Sequence, residues 1–86
     1  MNNRELLCDF GYEDAIVFEN PDYDEAIVGV SDDYRVIYDY DLMVQHLIEH
    51  DDMNEMDAAD FISYNTVRSL PYAGEYAPII MYRLPV

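Results

Sequence analysis

The two histidines of this 86-residue sequence stand four apart, in His46-Leu47-Ile48-Glu49-His50. On a helix that spacing sets both imidazoles on one face with Glu49 beside them, and the string matches the H-x-x-E-H pattern of inverted zinc proteases. Metal-assisted hydrolysis also needs a third ligand from a later helix and a substrate cleft. Only 36 residues follow His50, and their glutamates are Glu55 and Glu75. The histidines are therefore read as structural: His50 gains from the dipole at a helix C-terminus, and His46 lies on a solvated flank among acids that favour its charged form. No metal ligand and no cofactor is assigned, and zinc or nickel bound there would be adventitious.

Other chemistry-bearing residues form no catalytic constellation. Asp22, Asp24 and Glu25, the pair Asp32-Asp33, and Asp51, Asp52 and Glu55 cluster oxygen ligands. No window combines the glycine and the final glutamate of a calcium-binding loop, and Asp-Asp between two strands is the usual chemistry of a turn. Ser31, Ser63 and Ser69 lack a nucleophile-elbow setting, and Gly11, Gly29 and Gly74 are too scattered to cradle a phosphate. Cys8 stands alone without a basic neighbour to activate it, so it reads as a small, semi-buried hydrophobe. Among nineteen acids some pair always lies close enough to resemble a glycosidase dyad, so proximity alone carries no information. The sequence is read as that of a non-enzyme.

Charge is the strongest signal. Four arginines and no lysine face 19 acids, a formal net charge of −15. That balance excludes a protein that binds nucleic acid by neutralising phosphates. Duplex DNA carries one charge per ~1.7 Å of its axis, so fifteen charges correspond to about 25 Å of duplex, close to the span of a domain this small. The acids are interleaved with Tyr12, Tyr23, Tyr34, Tyr38 and Tyr40. An aromatic ring beside a carboxylate can receive an arginine by stacking and by a charge-assisted hydrogen bond. Candidate contacts for a basic partner are Asp22, Tyr23, Asp24, Asp32, Asp33, Asp39, Tyr40, Asp41, Asp51 and Asp52.

A hydrophobic content of 51%, with nine Tyr and three Phe, is too high for an acidic disordered tail, and 86 residues suit a single small domain over 1–86. A short helix is expected from Asn3 to Phe10, capped by Asn2 or Asn3 and ended by Gly11. Three β-prone stretches follow, at Asp14 to Phe18, Glu25 to Val30 and Tyr34 to Tyr40, separated by Asn20-Pro21-Asp22 and Ser31-Asp32-Asp33. Their alternation leaves the buried face undecided. Asp41 can cap a helix from Leu42 to about His50, and Asn54 with Asp57 approximates a capping box for a second helix from Glu55 to Leu70, ended by Pro71. The inward stripe of that helix reads Ala58, Phe61, Ile62 and Asn65, and Pro78 to Leu84 supplies a last strand. The expected class is α+β: a small antiparallel sheet, a three-stranded meander plus a C-terminal strand, with two helices packed on one face.

The beginning of the sequence shows no apolar run behind a basic region, no stretch approaches the ~18 apolar residues of a membrane span, and one cysteine cannot close an intrachain disulfide. A cytoplasmic protein is expected. The segments Glu25-Ala26-Ile27-Val28-Gly29-Val30, Arg35-Val36-Ile37-Tyr38-Asp39-Tyr40-Asp41 and Tyr64-Asn65-Thr66-Val67-Arg68-Ser69-Leu70-Pro71-Tyr72 resemble those of short, acidic, uncharacterised proteins of phages and mobile elements of gram-positive bacteria. The resemblance covers most of the chain after Gly11 and carries no catalytic residue with it. By analogy in charge and size it implies the DNA-mimic inhibitors of the anti-CRISPR or anti-restriction type. The expected function is then a non-enzymatic protein that occupies the basic surface of a nucleic-acid-binding protein, without touching nucleic acid or membrane. The alternative is an accessory domain of a mobile element, making an apolar or homomeric contact through its tyrosines with Asn65 and Arg68 and using charge for solubility.

Overall fold

The computed structural model of the chain describes residues 3–19 and 21–85. Helix α1 spans Asn3–Asp9 and ends where Gly11 takes φ +89°, as its sequence predicts; the alternative cap Asn2 and the turn residue Asn20 lie outside the described residues. The Asn3 amide donates to the carbonyl of Ile27 at 2.9 Å and ties α1 to the sheet. A single 3-10 turn, Asp24–Ala26, leads into β1 (Ile27–Val30), which pairs antiparallel with β2 (Val36–Asp39). Between them the Tyr34 N–H closes a turn onto the Ser31 carbonyl, so Asp32-Asp33 is the hairpin turn its composition suggests.

The fold class is α+β, and the structure settles which face of each strand is buried. Val36 and Tyr38 of β2 are fully buried while Ile37 is half-exposed. In β1 the register shifts between Ile27 and Gly29, so Val28 is 50% exposed although Ala26 and Ile27 are both buried. The third strand, β3 (Ile79–Met81), joins the other edge of β2 in parallel, giving a mixed sheet in the order β1-β2-β3. A parallel return needs a crossover, and the two helices between β2 and β3 provide it. Asp14 to Phe18 forms no strand. The N–H of Phe18 finds the Tyr38 hydroxyl at 3.0 Å in place of a ladder partner, and its ring lies 4.7 Å from that of Tyr38.

Helix α2 spans Tyr40–His50 and starts directly from β2. Its cap is Asp39, not Asp41: the Asp39 carboxylate accepts from the N–H groups of Asp41 and Leu42 at 2.9 and 3.3 Å. Helix α3 spans Glu55–Phe61, and Asn54 caps it by accepting from the Asp57 N–H at 2.8 Å. Beyond Phe61 the expected α-helix widens into a π-helical segment, Ile62–Val67, and the chain ends this region in a 3-10 turn, Leu70–Ala73, with Pro71 near its start. A π turn holds more residues than an α turn, so the inward position moves on by one. Ala58, Ile62 and Thr66 are buried, and Asn65 is exposed. The core gathers Leu7, Tyr23, Ala26, Ile27, Val36, Tyr38, Met43, Leu47, Ala58 and Ile62.

Candidate functional site

The arginines are spent within the molecule. Arg4 meets Glu19 at 2.6 Å, and Arg35 donates to the Ala77 carbonyl at 2.8 Å with Asp33 at 3.8 Å. Arg83 donates to Asp39 at 2.8 Å with Asp41 at 3.6 Å, a hydrogen bond that raises the Arg83 pKa, and Arg68 lies over the Tyr64 ring at 5.4 Å. Sixteen of the nineteen acids are exposed; Asp22 and Asp24 are half-buried, and Asp39 is buried. The surface is thus a mostly uncompensated field of carboxylates.

Of the ten contact residues read from the sequence, two are corrected. Tyr23 is fully buried: its ring lies against Phe18, and its hydroxyl pairs with the Thr66 hydroxyl at 3.0 Å. Burial, the leading cause, raises its pKa. Asp39 is 3% exposed and holds the start of α2 to Arg83. The alternation of acids and tyrosines in the sequence does not distinguish a residue that faces solvent from one that closes a core. Asp24 is half-buried, with one carboxylate oxygen inaccessible and without a hydrogen-bond partner; burial first, then neighbouring Asp22, raises its pKa against the pull of Arg4. Tyr40 is half-buried on Tyr82, ring to ring at 4.9 Å. Asp32 and Asp33 are exposed in the hairpin turn, Asp41 in the first turn of α2, and Asp51 and Asp52 just past its end, with Asp52 in the left-handed region at φ 57°. Asp41 and Asp51 are ten residues apart along α2, a rise of about 15 Å, so the two ends of that helix do not bring their acids to one point.

One place does concentrate chemistry. An open groove of about 630 Å³ is lined by the carboxylates of Glu19, Asp22 and Asp51 together with His46 and His50. The imidazoles lie 4.6 Å apart, tilted by 38°, one turn apart on α2, as their spacing predicts. His46 is half-buried against Tyr23 at 5.6 Å, not on a solvated flank, and its Nδ1 is buried without a hydrogen-bond partner. The carboxylate that joins the histidines is Glu25, not Glu49. Glu25 Oε1 lies 3.9 Å from His50 Nε2, and one ligand atom from each of Glu25, His46 and His50 falls within 4.8 Å of the others. Glu49 instead accepts from the Gln45 amide at 2.8 Å. Glu25 sits in the 3-10 turn that packs on α2, twenty-one residues before His46, and no local spacing announces that pairing.

The polar and aromatic stretch around Arg68 is resolved locally. The Asn65 side chain donates to the Phe61 carbonyl at 3.1 Å, as a backbone-satisfying asparagine does, while Arg68 stacks on Tyr64. A second groove of about 400 Å³ runs between the 16–19 segment and Asn65, Ser69, Leu70 and Tyr72, with Tyr72 92% exposed. Cys8 is exposed where a semi-buried position was expected. No helix among the described residues is long and apolar enough to cross a membrane. Comparison with known proteins found no matching family model, no similar curated protein and no similar solved structure.

Proposed function

We propose that this chain is a non-enzymatic, cytoplasmic interaction protein that presents its carboxylates to the basic surface of a nucleic-acid-binding protein and blocks it, as a DNA-mimic inhibitor of the phage-borne kind does. The observation that carries the reading is the internal use of all four arginines beside sixteen exposed acids. A body with extents of 35 × 30 × 29 Å and a net charge of −15 has a charge per unit length close to that of duplex DNA, about one per 1.7 Å. Such a field accelerates encounter with a cationic partner at low salt.

The test is affinity capture from a bacterial lysate at low and high salt, with duplex DNA as competitor. A captured DNA-binding protein that salt and DNA both displace is the expected outcome. Replacing Asp32, Asp33, Asp51 and Asp52 by lysine should then weaken its binding by at least tenfold at low salt, on the order of 1.4 kcal/mol. Self-association that persists in high salt, together with failure to retain any basic protein, would replace this reading with the accessory-domain one, built on exposed Tyr64, Tyr72 and Arg68.

A further inference from the structure

We infer that Glu25, His46 and His50 form a binding site for one divalent transition-metal ion of the zinc class. Two imidazoles and one carboxylate are the donor set that borderline metals of this kind prefer, and three protein ligands leave a fourth position open. The three ligand atoms lie within 4.8 Å of one another. A tetrahedral zinc centre holds its donors about 3.4 Å apart, so closure takes side-chain shifts of at most about 1.5 Å.

The fold restrains the donors independently of any metal. His46 and His50 project one turn apart from α2, the Tyr23 ring flanks His46, and the 3-10 turn carrying Glu25 packs on the same helix. The buried, unpartnered Nδ1 of His46 is a second observation, independent of the clustering. Buried imidazole nitrogens are normally satisfied, and a metal coordinated at this Nδ1 satisfies it. Asp22, Asp51 and Glu19 line the groove that also holds His46 and His50 without belonging to the ligand set, and they raise the local concentration of any cation. That general attraction is what the test must separate from coordination.

The full chain is freed of metal with a chelator and titrated with zinc by calorimetry, in excess magnesium to saturate loose sites on the polyanion. Cobalt(II) replaces zinc in a parallel titration read by visible absorption. One equivalent that resists magnesium, with the intensified cobalt spectrum of a low-coordinate nitrogen-containing site, is expected. Glu25→Gln and His50→Gln both change exposed side chains, so folding should survive, and each should weaken zinc binding about 10–100-fold or more. Glu49→Gln and the pair Asp32→Asn with Asp33→Asn should leave affinity within about twofold. Several weak equivalents displaced by magnesium, or zinc affinity untouched by Glu25→Gln and His50→Gln, would overturn the site; dependence on Glu49 in place of Glu25 would overturn this ligand set.

Discussion

Two buried side chains show how single residues join distant parts of this chain. One carboxylate oxygen of Asp39 caps α2 and the other holds Arg83, so the end of β2, the start of α2 and the segment after β3 meet on one side chain. The Tyr38 hydroxyl accepts from the N–H of Phe18 and fixes the segment that does not join the sheet. Burial pushes the Tyr38 pKa up to about 12, with the Phe18 hydrogen bond working in the opposite direction. The unfolded chain gives up this proton near pH 10, about two units before the folded one. Between those values the folded state binds more protons, so stability is intact below about pH 10 and falls as pH rises toward 12, by about 2–3 kcal/mol for this group. Urea unfolding across that range should show the loss. Tyr38→Phe should be less stable at neutral pH by about 1 kcal/mol, because the Phe18 N–H loses its acceptor, and its deficit should shrink above pH 10. A constant deficit from pH 8 to 12 would refute the assignment.

At the level of elements, the register of the π-helical segment invites a direct test. Thr66→Val removes the partner of the buried Tyr23 hydroxyl and should cost about 1–2 kcal/mol. Asn65→Ala, at the position a regular helix would turn inward, should cost less than about 0.5 kcal/mol, because that side chain is exposed and donates to the Phe61 carbonyl of its own helical segment. The reverse ranking in chemical denaturation would restore a regular helix. This contrast also marks what was legible in the sequence. The Asn54 cap and its helix start were readable because donor and acceptor are three residues apart, and the two histidines shared a face because α2 is a regular helix. The sequence points to Asp41 as the cap where the structure has Asp39, because Asp39 ends a strand that passes into the helix without a loop. Asp14 to Phe18 has strand-like alternation, but its Phe18 N–H goes to the Tyr38 hydroxyl, twenty residues away, and its Ala15 N–H to the nearby Tyr12 carbonyl. Glu25 was legible as an acid and illegible as a neighbour of His50, since only packing of the 3-10 turn on α2 brings them together.

At the scale of the whole molecule, one charge distribution acts on folding and on binding with opposite signs. Fifteen net negative charges on a body about 30 Å across repel one another, and the half-buried Asp24 adds a carboxylate whose burial disfavours its charged form. Salt shortens the reach of that repulsion, from a Debye length of roughly 14 Å at 0.05 M to about 4 Å at 0.5 M. The folded state, in which the charges are closest, gains more from screening than the expanded chain. The melting temperature should therefore rise by a few degrees, corresponding to about 0.5–1 kcal/mol, as sodium chloride increases from about 0.05 to about 0.5 M. The proposed encounter with a basic partner draws on attraction across the same distances, so its association rate should fall by about tenfold or more over that range. Thermal melting and stopped-flow association in the same buffers measure the two effects side by side. A protein that melts higher and associates more slowly as salt rises uses its charge for recognition at the expense of its own stability. Salt-independent association would confine the charge to solubility, whatever the melting curve does.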